Sequence, residues 1–461
     1  MASHQSGIPA SSRPSPIPPI LVIGFGSAVS MWVVWLITHF PAFRLESSIA
    51  GPLLLGVMTF SIAMGTSAVP RQRLAVGLGA GLLAGAINLL ILGSQIVDAG
   101  GGAPAPGVEG LKPNAPAIIA GFLGLSAAVG LIGGFAAGRS DPDRRTDPAR
   151  WLGRFAVIAV VAAVPLLLLG GLVTSTGSGL AVPDWPGTYG ANMFLYPIGL
   201  MSQPQVYLEH THRLFGALVG LSTLVLMVYV LVADRRPAVR AAAVILFLAV
   251  CLQGYLGGAR VVEKSQWFAV MHGVLAQVFF GGLVALAAAL SPSFRSATPA
   301  GVSLGRSSRL AAALVACIFV QLAFGAMYRH LHNNHALWSH AGFSLAVVLL
   351  AMLTAFNLSA RLAPIASPGN APARVARAAR GLVHAVGFQF LLGWVAFYFA
   401  LSSGKRHIPT SDQLADAPDI AWGDSLIRTI HQANGALLLA LAVVCLVWSL
   451  RLNRPASPAQ A

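Results

Sequence analysis

The sequence predicts an all-α polytopic membrane protein with about twelve transmembrane helices. Three observations carry that expectation. Hydrophobic residues are 56% of the chain and charged ones only 9%, far from the balance of a soluble domain. Apolar runs recur along the whole chain at about the 20-residue length that a bilayer-crossing helix needs. Arginine and lysine collect between alternate runs, the bias by which membrane proteins fix their orientation.

Taken in order, residues 1–19 are Pro- and Ser-rich and read as a disordered tail. Runs at 20–40, 50–68, 74–97 and 115–137 then form a four-helix N-terminal membrane extension over 20–138. The first of them is too long for a signal-peptide core and is expected to be retained. A stretch of mixed charge from 139 to 150, with Pro142 and Pro148, marks a domain boundary. Runs at 155–174, 207–232, 241–258 and 268–290 make a first four-helix half within 151–290. Those at 310–327, 338–358, 382–402 and 426–450 make a second within 307–451.

Arg235, Arg236, Arg240, Arg295, Arg374, Arg377 and Arg380 all fall on one side of this arrangement, and fewer basic residues fall on the other. The chain is therefore expected in the cell's inner (plasma) membrane with both termini cytoplasmic. The net charge of +15 is then topological, and nucleic acid is not an expected partner. Cys251, Cys317 and Cys445 each sit alone in an apolar run, which indicates neither a thiolate zinc site nor a loop disulfide.

That orientation puts His212, His272, His340 and His431 near the start of spans entering from the outer face, at similar depth. Each has a small residue four positions later, namely Gly216, Ala276, Ser344 and Gly435, leaving a groove where a planar ring could lie against the backbone. The preceding spans repeat as well, with Gln253-x3-Gly257, Gln321-x3-Gly325, Gln389-x3-Gly393 and a degenerate Leu167-x3-Gly171. A unit used four times implies a symmetric eight-helix bundle with sites between copies.

A single histidine in a span often only bonds a neighbouring helix. Four in a repeated unit point to metal ligation by neutral imidazole, and opposed pairs suit an iron porphyrin within a helical bundle. The expected pairs are His212 with His272 and His340 with His431. Glu209 lies on the helical face of His212, whereas His210 points away. A carboxylate beside an imidazole in low dielectric can hold a metal or move protons. Arg213 and Arg428, each within a turn of a histidine, either meet carboxylate tails such as propionates or anchor helix ends. His330, His332 and His335 lie on an outer loop that is either solvated or a copper or zinc site. His384 has no repeat partner and is expected to pack, His4 and His407 to face solvent, and His39 to close a span.

From about residue 151 onward the chain resembles the haem A synthase family. The residues that carry the likeness are the run from Gly171 through Thr176-Gly177-Ser178-Gly179-Leu180, Pro183-Asp184-Trp185-Pro186, the E-x-x-H-R of Glu209, His212 and Arg213, Gln253 to Gly258 followed by His272, and Thr429-Ile430-His431 with Gly435. The resemblance implies eight spans in two halves and oxidation of the C8 methyl of haem O to a formyl group, giving haem A for terminal oxidases. It implies a resident haem b on His340 and His431, substrate haem O on His212 and His272, and Glu209 as the carboxylate near the reacting methyl. Surrounding lipid, haem O synthase and oxidase assembly factors would be its neighbours. Three features depart from the family. The first outer loop has no cysteine pair, so thiol-linked electron or copper chemistry is not supported; His340 is followed by Ala341 rather than arginine; and the four N-terminal spans lie outside the likeness. A di-haem b electron-transfer protein and a twelve-helix transporter with histidine proton relays are the alternative readings.

Overall fold

The computed structural model describes residues 15–69, 72–97, 110–137, 148–402 and 408–453. Thirteen α-helices account for most of them, and twelve are long and apolar enough to cross a membrane. This is a multi-pass membrane protein. The first four helices are α1 (Ile17–Thr38), α2 (Ser47–Thr66), α3 (Arg73–Leu92) and α4 (Ala115–Ala136). Then come α5 (Pro148–Ser175), α6 (Pro204–Ala233), α7 (Pro237–Val262), α8 (Gln266–Leu290) and the single-turn α9 (Pro292–Arg295). The last four are α10 (Gly305–Leu331), α11 (Asn334–Leu362), α12 (Ala371–Ser402) and α13 (Trp422–Leu452).

The helix ends follow local chemistry. Proline occupies the first turn of α1, α4, α6 and α7, where its missing N–H would have no intrahelical acceptor. The Ser265 and Asn333 side chains accept from Phe268 N and Ala336 N and so start α8 and α11. His332 adopts the left-handed conformation, with φ 51°, and stops α10.

Helices outrun the apolar runs in the sequence because their polar end turns remain hydrogen-bonded beyond the hydrophobic stretch. Residues 17–19 are helical, contrary to a tail reaching 19. Residues 1–14 of that expected tail, the 139–147 part of the charged boundary, His4 and His407 lie outside the described residues. His384 is exposed on α12 rather than packed, because the buried face of that helix there is formed by Leu382, Ala385 and Val386.

Helices α5 to α8 pack in a closed ring, each against the next and α8 back against α5. Helices α10 to α13 pack likewise, and the two rings meet where α5 and α8 face α10 and α13. In the N-terminal group α3 and α4 approach closely: a Cβ at Gly77 would strike the Gly130 carbonyl, and one at Gly130 the Gly77 carbonyl. That group joins the rest through α1, which packs on α5. Phe25 meets Phe155 edge-on at 5.1 Å and Trp32 meets Phe215 at 5.5 Å.

Candidate functional site

The four repeated histidines form two pairs. His212 on α6 faces His272 on α8, with ring centroids 6.3 Å apart and planes at 71°. His340 on α11 faces His431 on α13 at 6.1 Å and the same 71°. Each ring also lies over a glycine of the helix before its own. A Cβ at Gly257 would stand 3.1 Å from His272 Cε1, one at Gly325 3.0 Å from His340 Cε1, and one at Gly393 3.4 Å from His431 Cε1. The glycines of the repeat thus make room for imidazoles. In the first copy the expected Gly171 is displaced by one residue: Gly170 faces His212, while Gly171 faces Thr429 and Gln432 of α13.

The glutamines of the repeat clamp two of the rings. Gln253 Nε2 donates to the His272 carbonyl at 3.1 Å, and His272 Nδ1 bonds the Gln253 carbonyl at 3.1 Å. Gln321 and His340 repeat both bonds at 2.8 and 2.9 Å. An imidazole that donates Nδ1–H to a carbonyl keeps its lone pair on Nε2, ready for a metal.

Glu209 is the feature the other copies lack. Three residues before the histidine the remaining helices carry Ala269, Leu337 and Arg428. Glu209 is 4% exposed; one carboxylate oxygen accepts from Val182 N at 2.9 Å and the other from Arg213 at 2.8 Å. Arg213 also donates to the carbonyls of Asp184, Gly187 and Val182. Both side chains therefore close the 182–187 loop onto α6, and the guanidinium is occupied by protein rather than open to a propionate. Arg428 is likewise paired, with Asp424 one turn earlier.

His210, which the helical wheel turns away from the pair, is buried against that loop: its Nδ1 bonds Thr188 Oγ1 at 3.1 Å and its ring lies 5.6 Å from Tyr196. Burial pushes the Tyr196 phenol up to about 12, with the neighbouring Tyr189 and Asp184 adding to the shift. Tyr189 is raised for the same first reason and then by the Glu209 and Asp184 charges. The loop also lays Trp185 on Gly258, beside the glycine that faces His272. Arg260 donates to the Gly179 carbonyl and brings another cation to this end of α7.

The halves meet around Ser175. Arg329 donates to Ser175 Oγ and the Gly171 carbonyl, while the Ser425 hydroxyl donates to the Ser175 carbonyl at 3.0 Å. Arg329 and His330 thus belong to the last turn of α10, and His335 to the first turn of α11. The expected outer histidine loop is two helix ends, because both helices run past their apolar stretches. Among the described residues no three or more His, Cys, Asp or Glu side chains gather to hold a metal ion. His330, His332 and His335, read from the sequence as either a solvated loop or a copper or zinc site, form no such group among the described residues.

Paired imidazoles suffice for a metal whose remaining ligands come from a porphyrin. Two metal–nitrogen bonds of about 2.0–2.1 Å, with the ring radii added, set two centroids about 6 Å apart, which both pairs match. The residues present fit such a group.

Residues 153–342 match a family described as cytochrome oxidase assembly protein. Over 141 residues the chain is 31% identical to the haem A synthase of Shouchella clausii, covering 29% of this chain and 44% of that relative. It is 26% identical to that of Exiguobacterium sibiricum over 194 residues, or 41% and 62% of the two chains. With that of Lysinibacillus sphaericus it shares 28% over 191 residues, 40% and 60%. The chain thus spans about half the length of the curated relatives it matches. Helices α1 to α4, α12 and α13 lie outside the family match.

Proposed function

We propose, on the premise that this chain is a relative of the haem A synthases through residues 153–342, that it oxidises the C8 methyl of haem O to a formyl group. The observation that carries the reading is the inequality of two imidazole pairs alike in spacing and angle: among the described residues, only the α6–α8 pair has a buried carboxylate one turn from a histidine. We assign residues 151–290 as the substrate half, 307–451 as the half with a resident haem b, and 20–138 as an added membrane unit.

His212 and His272 would hold the iron of the substrate haem, and His340 and His431 would hold that of haem b. A bound haem b supplies one-electron chemistry. Glu209 presents a fixed anion to the substrate side, where it stabilises positive charge developing at the reacting carbon or accepts its proton. Arg213 keeps that carboxylate oriented and joins it to the 182–187 loop, which excludes water from this end of the site. The sidedness of the basic residues supports an inner-membrane protein with cytoplasmic termini. Haem O synthase or an oxidase assembly factor is the neighbour that would deliver substrate or receive product.

The near-identical geometry of the two pairs favours one alternative, a di-haem b electron carrier without turnover. Glu209→Gln separates them. The amide oxygen still accepts from Val182 N and Arg213 keeps its three loop carbonyls, so the loop stays closed, and the expected result is loss of haem A formation with bound haem b retained. Undiminished haem A in extracted pigment would remove Glu209 from the reaction. Absence of haem A from the unaltered protein supplied with haem O would favour the carrier.

A further inference from the structure

Three arginines at the histidine end of the two halves are already engaged. Arg213 is paired with Glu209 and donates to three loop carbonyls, and Arg428 is paired with Asp424. Arg329 donates to Ser175 Oγ and the Gly171 carbonyl. Arg260 differs. Its Nη1 donates to the Gly179 carbonyl, and among the described residues no carboxylate stands within ion-pair distance of its guanidinium.

The surroundings of Arg260 are those of the first imidazole pair. It follows Gly257, which faces His272, by three positions, so the two share one face of α7. Its charge reaches His212, His272 and Glu209. The charges that reach it in turn are Glu209 and Arg213, and that carboxylate is already held by Arg213 and Val182 N. Two cations and one anion leave this cluster one charge positive. A part-buried cation without its anion is costly. Gly179 closes up against the guanidinium, where a Cβ would stand 2.6 Å from Nη2 and 2.8 Å from Cζ. Because the loop uses Nη1, the Nε and Nη2 donors make no bond among the described residues. Those two form the parallel fork that a carboxylate accepts from.

We propose that Arg260 binds a carboxylate of the porphyrin held between His212 and His272, the role that Arg213 and Arg428 are not free to take. The inference rests on the reading of that pair as haem ligands. Two axial imidazoles fix an iron but leave the macrocycle free to turn about the axis between them. A carboxylate anchor removes that freedom and so decides which edge of the ring meets Glu209. The halves differ here, since Arg329, four positions after Gly325 on α10, bonds α5 instead.

The test is titration of the purified full-length protein with ferric protoporphyrin IX and, separately, with its dimethyl ester, read in the Soret band. The part of the signal that His212→Ala removes belongs to the first pair. There the ester should bind the unaltered protein about ten- to hundredfold more weakly than the diacid, the size of a charge-assisted hydrogen bond. Arg260→Gln should weaken the diacid by a similar factor and leave the ester within twofold, which also shows the fold intact. Arg260→Lys should recover part of the loss. Diacid binding by Arg260→Gln within twofold of the unaltered protein, or equal weakening of diacid and ester, would overturn the inference. So would a melting-temperature rise with added phosphatidylglycerol that Arg260→Gln abolishes while its diacid binding is unchanged, which assigns the anion to a lipid phosphate. A Soret band that never develops, or that His212→Ala leaves intact, would instead defeat the ligand reading beneath it.

Discussion

The Tyr207 hydroxyl donates to the Leu36 carbonyl at 2.7 Å, so the first helix of the molecule ends on the helix that carries Glu209 and His212. The last carbonyls of a helix lack intrahelical donors, and here each finds one. Trp35 O accepts from His39 N, Ile37 O from Phe40 N and Thr38 O from Leu45 N, which leaves Leu36 O for the tyrosine. Tyr207→Phe strands that carbonyl and should cost about 1–3 kcal/mol. Unfolding in detergent checks the loss, and limited proteolysis between α1 and α2 should become faster.

The same junction should respond to pH. Burial holds the His39 imidazole below its ordinary 6.5, and the Arg44 charge adds to this against an opposing bond to the Trp35 carbonyl. The unfolded chain therefore binds a proton more readily than the folded one. This contribution is fully present above pH 6.5 and is lost as pH falls through the lowered folded value. Thermal stability should drop on acidification from about pH 7 to about pH 5, by less in His39→Gln than in the unaltered protein. Equal slopes would show that His39 contributes nothing.

Arg213→Ala should be the most damaging single change at the site. It leaves the buried Glu209 carboxylate without its cation and four carbonyl or carboxylate acceptors without their donor. Removing one partner of a buried pair costs about 3–5 kcal/mol. Arg213→Lys should recover little, since an ammonium lacks the planar fork that reaches these acceptors together. Hydrogen exchange of the Val182 amide reports the opening directly.

Two glycine replacements should diverge. Gly325→Ala sets a Cβ 3.0 Å from His340 Cε1, displacing the ring, and haem per protein should fall. Gly121→Ala on α4 meets nothing within 4 Å and should instead stabilise its helix by up to about 1 kcal/mol. Pigment content and melting temperature distinguish the two.

All twelve spans and both imidazole pairs were legible in the sequence, because hydropathy fixes length and the Gln-x3-Gly unit records which helix face meets a histidine. Tertiary chemistry of the loops was not. Nothing local links Glu209 to Val182, 27 positions earlier, so Arg213 reads as a propionate contact or a helix-end anchor, and its hold on the 182–187 loop leaves no mark in the sequence. His210 reads only as turned away from the pair, because a helical wheel cannot display Thr188 and Tyr196. The slip from Gly171 to Gly170 has a similar origin: two adjacent glycines fit the pattern, and only packing selects one. The docking of α1 rests on single contacts such as Phe25 with Phe155, which leave no periodic trace.

Those adjacent glycines make α5 a party wall. Consecutive helical residues point about 100° apart, so Gly170 yields its space to His212 and Gly171 to Thr429 and Gln432. Close-packed interiors pass small displacements on rather than absorbing them. A side chain added at 170 would therefore press on His212 and one added at 171 on Thr429, so neither neighbour of this wall can be crowded without the same helix bearing it.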